Sequence, residues 1–223
     1  MTYTFDFSSI LGYLPVLFKG IGVTLELIAF GAVLGVALGI ACAWARALGP
    51  RWLKPIVSGY VELIRNTPFL IQLFFIFFGL PSLGIQLGEM QGAILTMVIN
   101  LGAYSCEIVR AGIQATTKGQ FEAGWSLGMT RFETFRHVVL IPALQRIWPA
   151  LSSQIVLVML GSAVVSQIAV EDLSFAANFI QSRNFRAFEI YFVVTGIYLA
   201  LAILLRQLLR GVGWWLFPRK ATR

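Results

Sequence analysis

The chain has 223 residues, of which 58% are hydrophobic and only 12% are charged, whereas soluble domains are near 45–50% apolar and about 25% charged. This balance excludes an ordinary soluble globule and a disordered chain, and it indicates an integral membrane protein. The net charge of +7 does not indicate nucleic-acid binding, because the basic residues fall between apolar segments, as in the cytoplasmic loops of membrane proteins.

Five apolar segments follow one another along the chain and determine the expected fold. They lie at about 21–45, 56–80, 91–110, 139–168 and 189–209. A helix needs about 20 residues to cross the hydrocarbon core of a bilayer. We therefore expect an all-α integral membrane protein with five transmembrane helices, forming a single domain over 1–223. The first ten residues contain no Lys or Arg, so the basic region of a cleaved signal peptide is missing and segment one is expected to remain in the mature protein.

The lysines and arginines between these segments predict the orientation of the chain. Loops 46–54 and 110–137 and the C-terminal tail hold twelve of them, whereas the stretches on the opposite side hold three. Short cytoplasmic loops of membrane proteins are enriched in Lys and Arg. The N-terminus is therefore expected outside the cell membrane and the C-terminus in the cytoplasm.

Segment one carries a helix-packing pattern. Gly31, Gly35 and Gly39 form two overlapping GxxxG units, and glycines spaced by four residues share one helix face and let a second backbone approach closely. The pattern predicts a packing face, either against another helix of the same chain or against a partner.

Polar residues inside the predicted spans are candidates for a solute pathway, because such residues are costly in a membrane and often functional. Asn100, Tyr104 and Glu107 recur at i, i+4 and i+7 and share one face of segment three. That face either lines a pathway or makes hydrogen bonds between helices, and the pattern allows both. Two ion pairs at i, i+3 spacing are also predicted, Glu62 with Arg65 and Glu107 with Arg110.

The loop at about 111–137 is long for so small a membrane protein. Gly119 and Gly128 bracket the stretch QFEAGWSL, whose apolar positions have a helical spacing. Glu122 is expected near the start of this helix, where a carboxylate complements the helix dipole. Gly128 is expected to end it, since glycine favours the left-handed conformation found just after many helices.

A second short amphipathic helix is predicted from Thr130 to Val138. Thr130 and Glu133 have the spacing of a capping box, and Pro142 follows at the entry of segment four. Two short helices with aromatic side chains would suit docking into a groove of a cytoplasmic partner. The alternative is an amphipathic loop that lies on the bilayer surface.

Enzyme signatures are scarce in the sequence. We find no GxxxxGK[ST] phosphate loop, no HExxH and no GxSxG, which are the motifs of common nucleotide, zinc and serine chemistry. A metal site or a disulfide framework is not expected either, because the chain has one histidine and two cysteines, and both cysteines fall within apolar stretches. A catalytic role within the membrane is therefore the least favoured interpretation.

The loop and its flanks resemble a known family. GQFEAGWSLGMTRFETFRHVVLIPA is similar to the EAA loop of ABC-importer permeases, roughly E-A-A-x-x-x-G, about ten residues, then I-x-L-P. Two further stretches, RNTPFLIQLFFIFFGLP at 65–81 and LGAYSCEIVRAGI at 101–113, resemble the polar amino acid uptake branch, with its histidine-, glutamine- and glutamate-type transmembrane subunits. The resemblance covers about 20–210, and its loop positions are Gly119, Glu122, Ala123, Gly124, Gly128, Val139, Ile141 and Pro142.

The resemblance implies a type I ABC-importer permease fold and a role in a larger complex. Such permeases work as pairs, identical or not, and their EAA loop docks onto a separate cytoplasmic ATPase dimer, which holds the ATP and Mg. An external solute-binding protein delivers the solute, and the pair imports it by alternating access. The resemblance thus implies a non-catalytic permease for polar amino acids, without a cofactor of its own, in the bacterial inner membrane.

The sequence departs from the family pattern at two places. Gly124 replaces the second alanine of the EAA motif. Leu160 and Gly161 stand where similar transporters carry a lysine and an aspartate, which favours a pair with a non-identical permease that carries the charged residues. The candidate pathway residues are Gln72, Asn100, Tyr104, Glu107, Gly161 and Ser162. A self-contained channel or secondary carrier for small polar solutes is the alternative, although the spans are poor in the ionisable residues that ion coupling needs.

Overall fold

The computed structural model of the chain describes residues 5–217, and within that range all regular structure is helical. This confirms the predicted all-α class. The α-helices are α1 (Ser8–Leu11), α2 (Leu14–Ala47), α3 (Leu53–Arg65), α4 (Phe69–Phe74), α5 (Glu89–Gln114), α6 (Lys118–Ser126), α7 (Arg131–Glu133), α8 (Leu140–Gly161), α9 (Leu173–Asn184) and α10 (Ala187–Leu216). Arg219, Lys220 and Arg223, which the orientation argument counts, lie outside the described residues.

Four helical runs in residues 5–217 are long and apolar enough to cross a membrane: α2, α5, Arg131–Ile168 and α10. The bent pair α3 and α4 makes a fifth when it is counted as one span. α2 has 34 residues and is about 51 Å long at 1.5 Å per residue. It begins at Leu14, seven residues before the predicted position 21. Pro15 lies in its first turn, where the N–H that proline lacks would have no helical partner.

The predicted span 56–80 is not one straight helix. α3 ends at Arg65, and the helical run that begins with α4 lies at 110° to it. Pro68 causes the break, because a proline disfavours helical backbone in the residue before it, and Pro68 itself is extended, with φ −65° and ψ 140°. Beyond α4 the chain continues through a π-helix, Phe75–Gly79, and a 3₁₀ turn, Leu80–Leu83.

The fourth span also differs from its prediction, because its helix begins before position 139. The expected second short helix of the loop is instead the first part of this span: α7 passes into a π-helix, Thr134–Val139, which passes into α8. Pro142 has no N–H to donate one turn back, and the wider π turn before it accommodates that missing bond. The run ends in a 3₁₀ helix, Ser162–Ile168.

The core is built around α5, whose residues Leu101, Ala103, Cys106 and Val109 are fully buried. The glycine face of α2 lies against this helix, so its packing partner is within the same chain. A Cβ atom built at Gly31 would meet Met97 at 3.1 Å, one at Gly35 would meet Leu101 at 2.9 Å, and one at Gly39 would contact the Ser105 side chain and the α5 backbone.

The last two helices are tied to the start of α2 through Asp172. This fully buried residue is the N-cap of α9 and accepts a hydrogen bond from the Phe175 N–H at 2.8 Å. The Tyr198 hydroxyl of α10 lies 3.3 Å from its second carboxylate oxygen, and the Leu173 N–H donates to the Thr24 hydroxyl of α2 at 3.2 Å. Burial raises the pKa of Asp172 to about 6.

Candidate functional site

A cavity of about 270 Å³ opens where the bend between α3 and α4 faces α5 and α8. The bend, α5 and α8 each contribute residues to its wall. Among the residues in its wall are Thr67, Phe69, Asn100, Tyr104, Gln154 and Gly161. Three of the six predicted pathway residues, Asn100, Tyr104 and Gly161, are therefore brought together here.

Gln72 and Asn100 form a buried pair that holds the bend in place. The Asn100 amide donates to the Gln72 side-chain oxygen at 2.9 Å, and the Gln72 amide donates to the backbone oxygens of Ile64 and Thr67 at 2.7 and 3.0 Å. Those carbonyls lie at or just beyond the end of α3, where helical partners run out. Gln72 is thus a bridge between helix segments, whereas Asn100 makes this bridge and also lines the cavity.

Two other polar side chains in the wall are available to a solute. Within residues 5–217, the Tyr104 hydroxyl and the Gln154 amide have no hydrogen-bond partner, although both line the cavity. Polar groups in the membrane interior need partners. A small polar solute in the cavity would supply them.

Gly161 widens the cavity on the α8 side. A Cβ atom at this position would meet nothing within 4 Å, so any side chain here would have open space. Ser162 does not line the cavity, since it is buried and its hydroxyl donates to the Met159 backbone oxygen at 2.7 Å. Leu160 is exposed on the outer surface of the chain. Of these three residues only Gly161 lines the cavity, and it adds no charge to the wall.

Glu107 is the centre of an ion cluster one turn along α5 from the cavity. Arg110 donates to its carboxylate at 2.7 and 3.3 Å, which confirms the predicted local pair, and Arg46 at the end of α2 makes a close contact as well. The sequence predicted that Arg65 pairs with Glu62, but the structure places Arg65 3.7 Å from Glu107 instead. Its guanidinium carbon lies 5.6 Å from the centre of the Tyr104 ring.

The predicted coupling loop presents a largely exposed helix, α6. Gly119, Glu122 and Ala123 are exposed, as are the side chains of Trp125 and Leu127. Glu122 lies in the second turn, because the helix begins earlier than expected, and its carboxylate does not occupy the first-turn position that complements the dipole.

The end of α6 is held by a defined turn. Gly128 has φ +75°, its N–H donates to the Trp125 oxygen at 2.9 Å, and the Met129 N–H donates to the Gly124 oxygen at 3.1 Å. This pair of bonds is the Schellman arrangement, so the prediction that Gly128 ends the helix is confirmed. The capping box that follows, between Thr130 and Glu133, is also present.

Gly124 is the buried member of the loop. A Cβ atom there would lie 2.7 Å from the Thr134 methyl group and 2.9 Å from its hydroxyl. Glycine at the second alanine position therefore lets α6 pack closely on the π-helix of the fourth span. Nearby, the Phe132 ring packs edge-on against Trp44 of α2 at 5.9 Å between centroids, which joins the loop to the first span. Pro142 lies in the first turn of α8, beyond the π-helix.

The candidate residues selected from the sequence did not include Thr67, Arg65 or Gln154. Thr67 and Arg65 belong to the RNTP stretch, whose Thr-Pro pair signals a break in the helix and so a site for exposed polar groups. Gln154 was one of the polar residues noted inside the predicted spans, but only the packing of α8 brings it to the cavity. Among the described residues, no group of three His, Cys, Asp or Glu side chains is placed to hold a metal ion.

Comparison with known families gives a match over most of the chain. Residues 35–212 match the family described as binding-protein-dependent transport system inner membrane component. The glutamine transport system permease protein GlnP of Escherichia coli strain K12 is 34% identical over 208 residues, covering 92% of this chain and 95% of that protein. The L-cystine transport system permease protein TcyB of Bacillus subtilis strain 168 is 36% identical over 192 residues, covering 86% and 82%.

A solved structure has the same fold. It is a crystal structure of an amino acid ABC transporter with histidines, and it superposes with a TM-score of 0.83 at 36% identity. The superposition covers 95% of this chain and 99% of the other. The helices described above are therefore arranged as in a chain of that amino acid ABC transporter.

Proposed function

The chain belongs to the family of binding-protein-dependent transport system inner membrane components, and we propose from that premise that it carries polar amino acids into the cytoplasm as one permease subunit of an ABC importer. Two relatives named for different solutes, glutamine and L-cystine, support an amino acid as the solute class. The observation that carries the proposal is the cavity at the bend, with its uncharged wall, in which a few polar side chains stand among apolar ones.

The cavity is suited to a small polar solute that is bound weakly and released. Its wall offers the Asn100 amide, the Tyr104 hydroxyl and the Gln154 amide, and Gly161 leaves room beside them. A transport site must hold its solute loosely enough to let it leave, and uncharged hydrogen-bonding groups give modest net energies. The absence of charge at Leu160 and Gly161, where similar transporters carry a lysine and an aspartate, also supports pairing with a non-identical permease that carries the charged residues.

We propose that α6 couples this cavity to a separate cytoplasmic ATPase dimer, which would bind the ATP and Mg. The exposed stretch from Gly119 to Leu127 offers a carboxylate, Glu122, beside two apolar side chains, which is the composition of a helix that docks into a groove. Because Gly124 fixes α6 to the π-helix at Thr134, a displacement of α6 would be passed to the fourth span, which forms one wall of the cavity.

The remaining parts of the proposal follow from orientation. The excess of Lys and Arg in loops 46–54 and 110–137 supports a cytoplasmic α6 and an external N-terminus. A solute-binding protein would then deliver the amino acid at the opposite face. The permease pair would switch between outward- and inward-facing states, and the cavity would be open to one side at a time.

The test is charge reversal on α6. We expect Glu122→Lys to leave assembly and membrane level unchanged but to lower ATP-driven uptake in proteoliposomes by about tenfold or more, since a lysine would face the partner group that suits a carboxylate, and like charges brought together at a docking surface cost several kcal/mol. The control is Glu62→Lys, an exposed carboxylate on α3. Uptake equal to wild type in the Glu122 variant would refute the docking role. Uptake driven by an ion gradient without ATP would instead support the channel or carrier alternative.

A further inference from the structure

We propose that Arg65 is the cation that attracts the carboxylate of the solute at the cavity, an inference that rests on the proposed amino acid function. Every amino acid carries an α-carboxylate, yet the cavity wall itself holds no charged side chain among the described residues. Arg65 stands directly behind that wall. It precedes Thr67, which lines the cavity, by two residues, and its guanidinium lies over the Tyr104 ring at 5.6 Å.

The ion cluster around Glu107 leaves Arg65 with surplus charge. Three arginines, Arg46, Arg65 and Arg110, surround one carboxylate, so the four groups carry a net charge of +2. Arg110 and Arg46 make the short contacts, whereas Arg65 is 3.7 Å from the carboxylate. Glu107 is therefore already neutralised by the other two, and the charge of Arg65 is uncompensated.

Exposure distinguishes Arg65 from the other two arginines. Its side chain is 42% exposed, against 20% for Arg46 and 30% for Arg110. A structural ion pair would be expected to hold its arginine at short range. A loosely held, exposed cation beside two like charges adds repulsion to the cluster, and ionisable residues within membrane spans commonly mark a solute pathway.

The geometry sets the size of the expected effect. The guanidinium carbon is 5.6 Å from the centre of the Tyr104 ring, which lines the cavity. A carboxylate beside that ring at about 8 Å from the guanidinium would, at an effective dielectric of about 20, be attracted enough to change affinity roughly thirtyfold. The guanidinium can also approach more closely, because its weak contact with Glu107 is the only ion pair it makes within residues 5–217.

The test compares an amino acid with its uncharged carboxamide. The transporter, assembled with its ATPase and permease partners in nanodiscs and without the solute-binding protein, is titrated calorimetrically with L-glutamine and L-glutaminamide. The other free amino acids are titrated as well, and for each one that binds the corresponding amide is titrated too. We expect wild type to bind the acid about thirtyfold or more tightly than the amide. Arg65→Gln should lower this ratio of affinities to the value of a site without a positive charge. Arg65→Lys should restore part of the ratio.

The outcomes separate a recognition role from a structural one. Loss of a merely structural ion pair would weaken acid and amide alike, whereas loss of a counter-charge changes only their ratio. Arg206→Gln, an exposed arginine on α10, is the control and should keep the wild-type ratio. An unchanged ratio in Arg65→Gln would overturn the proposal, as would equal binding of acid and amide by wild type, which needs no variant. If wild type binds no free amino acid although the complete transporter shows ATP-driven amino acid uptake, this inference alone is overturned. If uptake is also absent, the amino acid function itself fails, and this inference fails with it.

Discussion

Replacing Gly39 with alanine would place a methyl group where the backbones of α2 and α5 meet. A Cβ atom at Gly39 contacts the Ser105 side chain and lies 3.0 Å from both the Cys106 nitrogen and the Gly102 oxygen. A backbone atom within a buried helix cannot rotate out of the way, as a side chain can. The substitution therefore has to push the two helices apart along the tightest part of their interface.

The two other glycines of the same face have more tolerant neighbours. At Gly31 the nearest atoms are the terminal methyl of Met97, at 3.1 Å, and the Met97 Cβ, at 3.2 Å, both farther away than the nearest atoms at the other two glycines, and methionine is an adaptable side chain. At Gly35 the nearest atom is the Leu101 Cβ, at 2.9 Å, which is less free to move. The structure thus predicts a graded series in which destabilisation increases from Gly31→Ala through Gly35→Ala to Gly39→Ala.

The magnitudes follow from two opposing terms. Overpacking a well-packed interface costs about 1–3 kcal/mol, while replacing a helical glycine by alanine gains about 1 kcal/mol. Gly31→Ala should be nearly neutral, and Gly39→Ala should lose about 2 kcal/mol net, since its clash is at the upper end of the range. Gly22 lies in the same helix with nothing within 4 Å of its Cβ position, so Gly22→Ala should show the gain of about 1 kcal/mol alone.

The assay is thermal unfolding of the four variants in one detergent, with Gly22→Ala as reference. A domain of this size shifts by roughly 2–4 °C per kcal/mol, so Gly39→Ala should melt roughly 10 °C below the reference. If Gly39→Ala is as stable as Gly22→Ala, the close approach of α2 to α5 is not as described, and the packing argument is wrong. Equal destabilisation at all three glycines would contradict the distinction between backbone and side-chain neighbours.

Two further predictions concern Asp172 and Gly124. Folding raises the pKa of Asp172 to about 6. The protonated carboxyl therefore contributes its full stabilisation below the pKa of the unfolded chain, near 4, and this contribution is lost as the pH rises through about 6. The free energy of unfolding of wild type, relative to that of Asp172→Asn, should therefore fall by up to about 3 kcal/mol between pH 4 and pH 7. A difference between the two proteins that does not change with pH would contradict this prediction. Gly124→Ala should destabilise the chain by about 1–2 kcal/mol, because the added methyl group would collide with Thr134. Adding Thr134→Ala should recover that loss in the double variant, measured by thermal unfolding. If the effects of the two substitutions simply add, the contact is not as described.

Local patterns in the sequence were sufficient to predict the helical class, the apolar segments and the turn chemistry of the loop. Gly128 and the box of Thr130 with Glu133 were predicted correctly because each depends on residues within one helical turn. Helix ends were less accurate. α2 extends beyond its apolar segment, and α7 joins the fourth span, because a helix continues wherever neighbours pack on it, regardless of local hydropathy.

The partners of charged and polar groups could not be predicted from spacing alone. Glu62 and Arg65 have the spacing of a local pair, yet Arg65 lies near Glu107 of α5, because the bend at Pro68 ends α3 beside that helix. Gln154 belongs to α8 and reaches the cavity only through the packing of α8 against α5. Both assignments depend on contacts between segments that are distant in sequence.

The polar face of α5 is tolerated in a membrane because each of its three polar side chains has a different environment. Asn100 is paired with Gln72 and so links the cavity to the bend, and Glu107 is neutralised by the short contacts with Arg46 and Arg110. The Tyr104 hydroxyl, between them, lines the cavity and makes no hydrogen bond within residues 5–217. The glycine face of α2 fixes the adjoining face of the same helix through Leu101 and its neighbours. α5 is thereby packed closely on one side and lines the cavity on the other, so a change in the shape of the cavity is expected from movement of the bend or of α8, the helix continuous with the segment on which α6 packs.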